Sequence, residues 1–227
     1  MRRGARLLDA ASWKASDAGM PVSGLGVPLS VWPDGLPLGV LSDRLVEGFS
    51  RAGDVVATTV LEGVAGVAVL GRRLVVLCRP RQLPAVEKDL ASLSSSDRAL
   101  VRVEAVTGQN LRSRLAGSRG VVDLFITGQE SSTGEGFWSA ASCAVRPGGL
   151  LVVVCASGDA LVHADVTSRA GAVGLRYVQH IVATTVEVLD TEAGTDVETA
   201  PPLPGRAHRR AHADVLLFTR ADDGGAL

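Results

Sequence analysis

The residues of this chain best placed to do chemistry are Thr127, Gly128, Gln129 and Glu130, which close an apolar run beginning at Val121. An open α/β sheet sets its working residues at the carboxyl ends of its strands. There, the side-chain oxygen of Gln129 or Glu130 can accept a hydrogen bond from an amine. His180 lies in a second apolar run beside Gln179; with no paired nucleophile in view it reads as a satisfied core or interface histidine. His208 and His212 stand four apart. A zinc pair at that spacing needs a third ligand and a helical or hairpin frame, and the sequence identifies neither, so no metal is expected. Arg206, Arg209 and Arg210 form a basic patch ahead of the last apolar run, suited to phosphate contact or to plain solubility. Arg72, Arg73, Arg79 and Arg81 form a second basic group, whose sharing of one face cannot be read from sequence.

The elements that must position these residues follow from hydrophobic pattern. VVDLFITGQE and, beyond Arg146-Pro147-Gly148-Gly149, LLVVV are apolar at nearly every position. That pattern suits parallel strands covered on both faces. The crossover between them is a polar loop and a short amphipathic helix. Upstream, Asp54–Val60 and Leu74–Cys78 predict two strands joined by a small-residue helix over Gly63–Leu70, with Gly63 and Gly66 set for close helix-to-sheet approach. Leu41, Leu45, Val46 and Phe49 mark one face of a helix, with Ser42 a candidate N-cap. The Gly and Pro density of Gly24–Pro37 forbids a regular helix, while Val27, Leu29, Val31 and Trp32 pack on the body and Trp32 serves as a core plug.

Ala85–Leu93 predicts a helix, and Ala99–Val106, with Arg102 and Glu104 alternating, an edge strand. A basic helix follows over Leu111–Leu115 with Arg112 and Arg114. Gly158–Gly174 predicts a helix with Leu161, Val162, Val166 and Val173 inward, Leu175–Leu189 a long strand, and Asp214–Thr219 its antiparallel partner.

The chain has 227 residues, of which 46% are hydrophobic, enough to bury one full core. One domain over residues 23–220 is expected. It is flanked by a mobile arm (1–22, carrying Arg2, Arg3 and Arg6) and a tail (221–227), with a disordered acidic, Pro-rich insert at 190–205. A net charge of -1 gives no global attraction to nucleic acid or anionic membrane. No apolar run approaches the roughly 20 residues that span a bilayer, and the N-terminus does not read as a secretory signal. Cys78, Cys143 and Cys155 show no C-x-x-C pairing. A reduced, cytoplasmic protein without structural zinc is the simplest account.

Seven strands with βα alternation, a long penultimate strand and an antiparallel return strand resemble the methyltransferase variant of the Rossmann-like α/β fold, a mostly parallel sheet with helices on both faces. More closely, the chain resembles bacterial DNA methylases of the exocyclic amine of cytosine or adenine, of the sort common in high-GC actinobacteria. The resemblance rests on VPLSVWP (Val27–Pro33), RAGDVV (Arg51–Val56), LGRRLVVL (Leu70–Leu77), VVDLFITG (Val121–Gly128), AVRPGGLLVVV (Ala144–Val154), GLRYVQHIVA (Gly174–Ala183) and HADVLLFTR (His212–Arg220), in that family's order. It implies S-adenosylmethionine as cofactor and DNA as substrate.

Departures from the family's motifs turn that expectation. Its Gly-rich cofactor loop is replaced here by Thr58, Thr59, Val60, Leu61, Glu62 and Gly63. The ribose-binding acid falls on Cys78 or Arg79, neither of which accepts two hydroxyl hydrogen bonds, and the adenine-binding acid falls on the region of Gln109 and Asn110, which still offers an acceptor. The catalytic Pro-Pro-aromatic tetrapeptide, which grips a flipped base, falls on Thr127–Glu130. The expectation is a degenerate, catalytically inactive methyltransferase-like protein without cofactor. It would bind nucleic acid through Arg72, Arg73, Arg206, Arg209 and Arg210, or a protein partner: a catalytic relative or a second copy of itself. The alternative is an active S-adenosylmethionine-dependent methyltransferase with divergent motifs, using Gln109 or Asn110 for adenine and Glu130 for the amine.

Overall fold

In the computed structural model of the protein the described residues are 29–32, 38–60, 64–107, 110–132, 136–155, 160–184 and 212–221. Residues 1–28, the 190–205 insert and 222–227, with the arm and tail expected there, lie outside them.

Eight strands form one sheet: β1 (Leu29–Trp32), β2 (Val55–Thr58), β3 (Arg73–Cys78), β4 (Val101–Ala105), β5 (Val122–Gly128), β6 (Val145–Cys155), β7 (Leu175–Thr184) and β8 (His212–Arg220). Their order is β1-β7-β8-β6-β5-β2-β3-β4. Only β8 runs against its neighbours, pairing antiparallel with both β6 and β7, as the sequence led us to expect. Chain order runs outward from β2 through β3 to β4, then restarts on the other side at β5. The crevice between the carboxyl ends of β2 and β5 is therefore the topological switch point, where such sheets bind ligands.

Strand alternation sorts the core into two layers. Leu124 and Ile126 of β5, with Val56, Val76, Val152 and Val215, face α1 (Leu38–Phe49), α2 (Val64–Val69) and α3 (Leu83–Leu90). Phe125, with Ala57, Val75, Val153, Leu216 and Phe218, faces α5 (Leu111–Ala116), α7 (Phe137–Ala144) and α8 (Ala160–Ala172). Helices on both sides explain the unbroken apolar runs. Each fully buried Val, Leu or Phe contributes about 1.5–3 kcal/mol. Two shorter α-helices, α4 (Ser95–Arg98) and α6 (Gln129–Ser132), and a 3-10 turn at Pro80–Gln82 complete the described set. Arg102 and Arg114 both pair with Glu104 and charge the β4 edge, which is the edge position expected.

Five expectations are corrected. The strand count is eight because β1 adds in parallel to β7; the Gly and Pro residues around Leu29–Trp32 concealed four extended residues. Leu29 and Val31 point to solvent, 63% and 58% exposed, rather than into the body. Trp32 does plug a partly buried position, stacked on Phe49 at 6.4 Å with the Arg44 guanidinium over its ring. Ser42 is no N-cap, because α1 begins at Leu38 and buries Ser42 within it. Leu161 is 80% exposed on α8, while Val166 is buried and Val162 and Val173 pack at the core's margin. Gly66 does serve a close approach, but to α1 rather than to the sheet: a Cβ there would stand 2.9 Å from the Asp43 carboxylate.

The irregular start of β6 has its own logic. Asp123 accepts the Val55 amide at 2.8 Å and pairs with Arg146, so one carboxylate ties β2, β5 and the irregular Arg146–Gly149 start of β6 together. Gly148 turns at φ 70°. A Cβ on Gly149 would meet Val145 Cγ1 at 2.9 Å and the backbone oxygens of Arg146 and Val122 at 3.0 Å, so only glycine fits there.

Candidate functional site

Two polar clusters occupy the carboxyl edge of the sheet. The first lies at the switch point. β2 and β5 end in Thr58-Thr59 and Thr127-Gly128 because β-branched threonine continues an extended backbone while presenting a hydroxyl. The hydroxyls are already engaged. Thr59 Oγ1 and Thr127 Oγ1 share a hydrogen bond of 2.9 Å across the crevice, and the Thr59 amide donates to the Ile126 carbonyl at 3.0 Å. Thr58 Oγ1 accepts from the Val60 amide and donates to the Val60 carbonyl, each at 3.0 Å. Beneath lies a cavity of about 10 Å³ bordered by Thr58, Val60, Val64 and Ile126, which has room for about one water.

The sequence-predicted residues around this point fall as follows. Gly128 closes β5, and a Cβ there would meet nothing within 4 Å. Gln129 and Glu130 open α6, where the Gln129 carbonyl accepts from Ser132 Oγ at 2.7 Å. Cys78 ends β3 with its thiol buried; burial, and then the nearby Glu87 charge, push that thiol's pKa upward. Asn110 Oδ1 accepts the Thr107 amide at 2.6 Å, closing the turn after β4. Glu62, Gly63 and Gln109 lie outside the described residues, as do Arg206, Arg209, Arg210 and His208.

The structure separates the Arg72, Arg73, Arg79 and Arg81 group. Arg72 and Arg73 stand at the amino end of β3, Arg79 and Arg81 beyond its carboxyl end, about 20 Å apart for a strand of that length. Arg72 is tied inward, donating to Ser50 Oγ, the Ser50 carbonyl and the Leu70 carbonyl at 3.1, 2.9 and 2.6 Å. A groove of about 220 Å³ opens elsewhere, between α5 and α7, lined by Arg112, Leu115, Arg119, Ala140 and Cys143. Of its two arginines, only Arg112 was marked in the sequence.

The second cluster was missed. β7 turns His180 toward α8, the antiparallel return of β8 lays Asp214 opposite Val182 and Cys155, and α8 lowers His163 onto the same spot. His180 Nε2 stands 2.8 Å from Asp214 Oδ1, and His163 Nε2 and His212 Nε2 stand 3.4 and 3.5 Å from Oδ2. Asp214 is 3% exposed. Its charge, after burial itself, helps push Cys155 and Tyr177 up to about 12. The only local signal was Asp214 itself, a carboxylate at the mouth of an apolar strand.

No protein-family model and no curated protein matches this chain. Solved structures do match its fold. A TehB-like SAM-dependent methyltransferase from Corynebacterium glutamicum superposes with TM-score 0.51 at 16% identity, over 78% of this chain and 86% of that one. The 16S rRNA (adenine(1408)-N(1))-methyltransferase from Catenulisporales acidiphilia gives 0.52 at 14%, over 79% and 93%. A SAM-dependent O-methyltransferase from Thermotoga maritima gives 0.53 at 12%, over 81% and 64%. The chain thus has the α/β Rossmann-like fold of S-adenosylmethionine-dependent methyltransferases, with β2 as the strand from which the sheet is wound. At these identities the likeness is one of fold.

The fold implies S-adenosylmethionine at the β2–β5 crevice. The described side chains there fit it poorly. Thr59 and Thr127 satisfy each other across the opening, the Cys78 thiol offers no pair of acceptors for vicinal ribose hydroxyls, and Asn110 spends its acceptor on the backbone. Among the described residues no helix is long and apolar enough to cross a membrane.

Proposed function

We propose that this chain is a methyltransferase-fold protein that does not bind S-adenosylmethionine or transfer methyl groups, and that it acts by binding nucleic acid or a protein partner. The observation that carries the reading is the Thr59–Thr127 hydrogen bond across the switch point. A cofactor seated there would have to break it and offer both hydroxyls a replacement partner. Support for the nucleic-acid arm comes from the groove bearing Arg112 and Arg119, which suits a phosphate backbone.

Titration of the full chain with S-adenosylmethionine and S-adenosylhomocysteine tests the first half. A ligand at a hundred times its Kd adds about 2.7 kcal/mol to stability, so a melting scan that stays flat at millimolar ligand is the expected result. A clear shift overturns the reading and puts methyl transfer first, with Asn110 and Glu130 as the residues to substitute. The second half is tested by duplex DNA and RNA binding across a salt series. Binding through arginines weakens steeply with salt. Absence of binding at low salt removes the nucleic-acid arm and leaves a protein partner.

A further inference from the structure

The cluster at Asp214 is built in a way that packing does not require. Asp214 sits at the start of β8 with its side chain 4% exposed, and Oδ2 accepts no hydrogen bond although two imidazole nitrogens stand 3.4 and 3.5 Å from it. A buried, under-satisfied carboxylate oxygen costs stability unless something else completes it. Both histidines nearest the carboxylate present the same ring nitrogen. His163 Nε2, His180 Nε2 and a carboxylate oxygen of Asp214 all lie within 4.8 Å of one another, and the His163 and His180 rings meet edge to face at 5.3 Å.

From this geometry we infer that His163, His180 and Asp214 form a binding site for a divalent transition metal of the zinc class. Zinc bonds of about 2.0–2.2 Å to nitrogen and oxygen set neighbouring tetrahedral ligands about 3.3 Å apart. The observed contacts of 2.8 and 3.4 Å to Asp214 bracket that spacing, and the two imidazole nitrogens lie within 4.8 Å of each other, so side-chain rotation is what draws the three ligands onto one ion. Two imidazoles and one carboxylate are a donor set that suits zinc rather than calcium or magnesium, which prefer oxygen throughout. On binding, the Nε2 proton of His180 gives way to the metal, the ring keeping its proton on Nδ1 and any surplus proton passing to solvent, and the metal takes over as the partner of the carboxylate. His212 Nε2, 3.5 Å from Oδ2 on a side chain 40% exposed, lies at the rim outside the three-residue group, which leaves the fourth position to water. The metal would fasten α8 to β7 and β8. Nothing in this depends on whether the β2–β5 crevice holds a cofactor.

The test uses the full chain, stripped with chelator and desalted, titrated with Zn²⁺ in competition with a chromophoric chelator and separately with Co²⁺. The expected result is one ion per chain and a tetrahedral Co²⁺ spectrum lacking thiolate-to-metal charge transfer. H163Q and D214N should weaken binding by about a hundredfold or more, given that even outer-shell changes cost about 10–100-fold. C143S, which removes the exposed thiol, should leave binding unchanged. His163 projects from a helix with its side chain 21% exposed, so H163Q keeps the fold, and circular dichroism checks this. Equal affinity in the wild type and H163Q, a thiolate band, or no zinc binding at submillimolar concentration would each overturn the site.

Discussion

The two polar clusters on the carboxyl edge of the sheet handle the same problem in opposite ways. At the switch point between β2 and β5, threonine hydroxyls answer one another and the nearby backbone, and none of Thr58, Thr59 and Thr127 has an unanswered side-chain oxygen. Where α8 crosses β7 and β8, a carboxylate is buried among three histidines with one oxygen lacking a hydrogen bond. The first is a neutral polar pair that closes a crevice. The second concentrates charge and donors where a methyltransferase sheet needs only packing. Polar groups that satisfy one another add rigidity, whereas polar groups left short point to a binding partner.

The largest effect that would break this contrast is expected from His180→Ala. It removes the 2.8 Å hydrogen-bond partner of a buried carboxylate, leaving only the longer His163 and His212 contacts, at a cost of about 3 kcal/mol by urea unfolding in metal-free buffer. An effect near zero would mean that Asp214 is as comfortable as the threonines. Next in size is Thr127→Val, which orphans Thr59 Oγ1 and is expected to cost about 1–3 kcal/mol. Adding Thr59→Val should recover most of that loss, because removing both partners of a hydrogen bond is nearly neutral. A double-mutant cycle without coupling would show that the pair does not hold the crevice shut.

Asp43→Asn sharpens the comparison from a third place and has the smallest effect. Burial first, and the Glu47 charge second, raise the Asp43 pKa above the ordinary 3.8, and its Oδ1 is buried without a hydrogen bond. A carboxyl whose folded pKa is raised contributes stability while protonated and loses it as pH climbs through the folded value. Asp43→Asn should therefore stabilise the protein at pH 7 by less than about 1 kcal/mol. The advantage should fade as pH falls through the raised folded value toward 3.8 and be absent below it. A gain that persists in acid would assign the effect to packing against Gly66 instead.

How far the sequence revealed these features depended on how local their causes are. The strands of β5 and β6 were legible because burial on both faces leaves an uninterrupted apolar run, and α1 because Leu41, Leu45 and Val46 recur on one helical face. β1 was not, since four residues between glycines and prolines carry no period, and what makes them a strand is the distant edge of β7. Thr127 and Cys78 could be placed at strand ends from the pattern alone. The Asp214 cluster could not be assembled that way. His163 is brought to it by the packing of α8 on β7, His180 by its place across β7, and Asp214 by the insertion of β8 between β6 and β7, and none of these facts has a local signature. The sequence around His180 reads as that of a satisfied histidine, and the side chain does have a partner. The identity of that partner is what pattern alone could not supply.

The place of β8 also sets an order of assembly. β7 cannot join β6 directly, because β8 lies between them, and β1 attaches only to β7. Ser30 and Gln179, which bond at 2.8 Å across the β1–β7 pair, are 149 residues apart in the chain. During synthesis β2 through β6 can associate as they emerge, but β1, the first of the described strands, must wait for the last of them before it has a docked partner. Until β8 emerges, the nascent chain carries the β6 edge unpaired, and a slow stretch of translation before His212 would prolong the exposure of that edge to chaperones or to neighbouring chains.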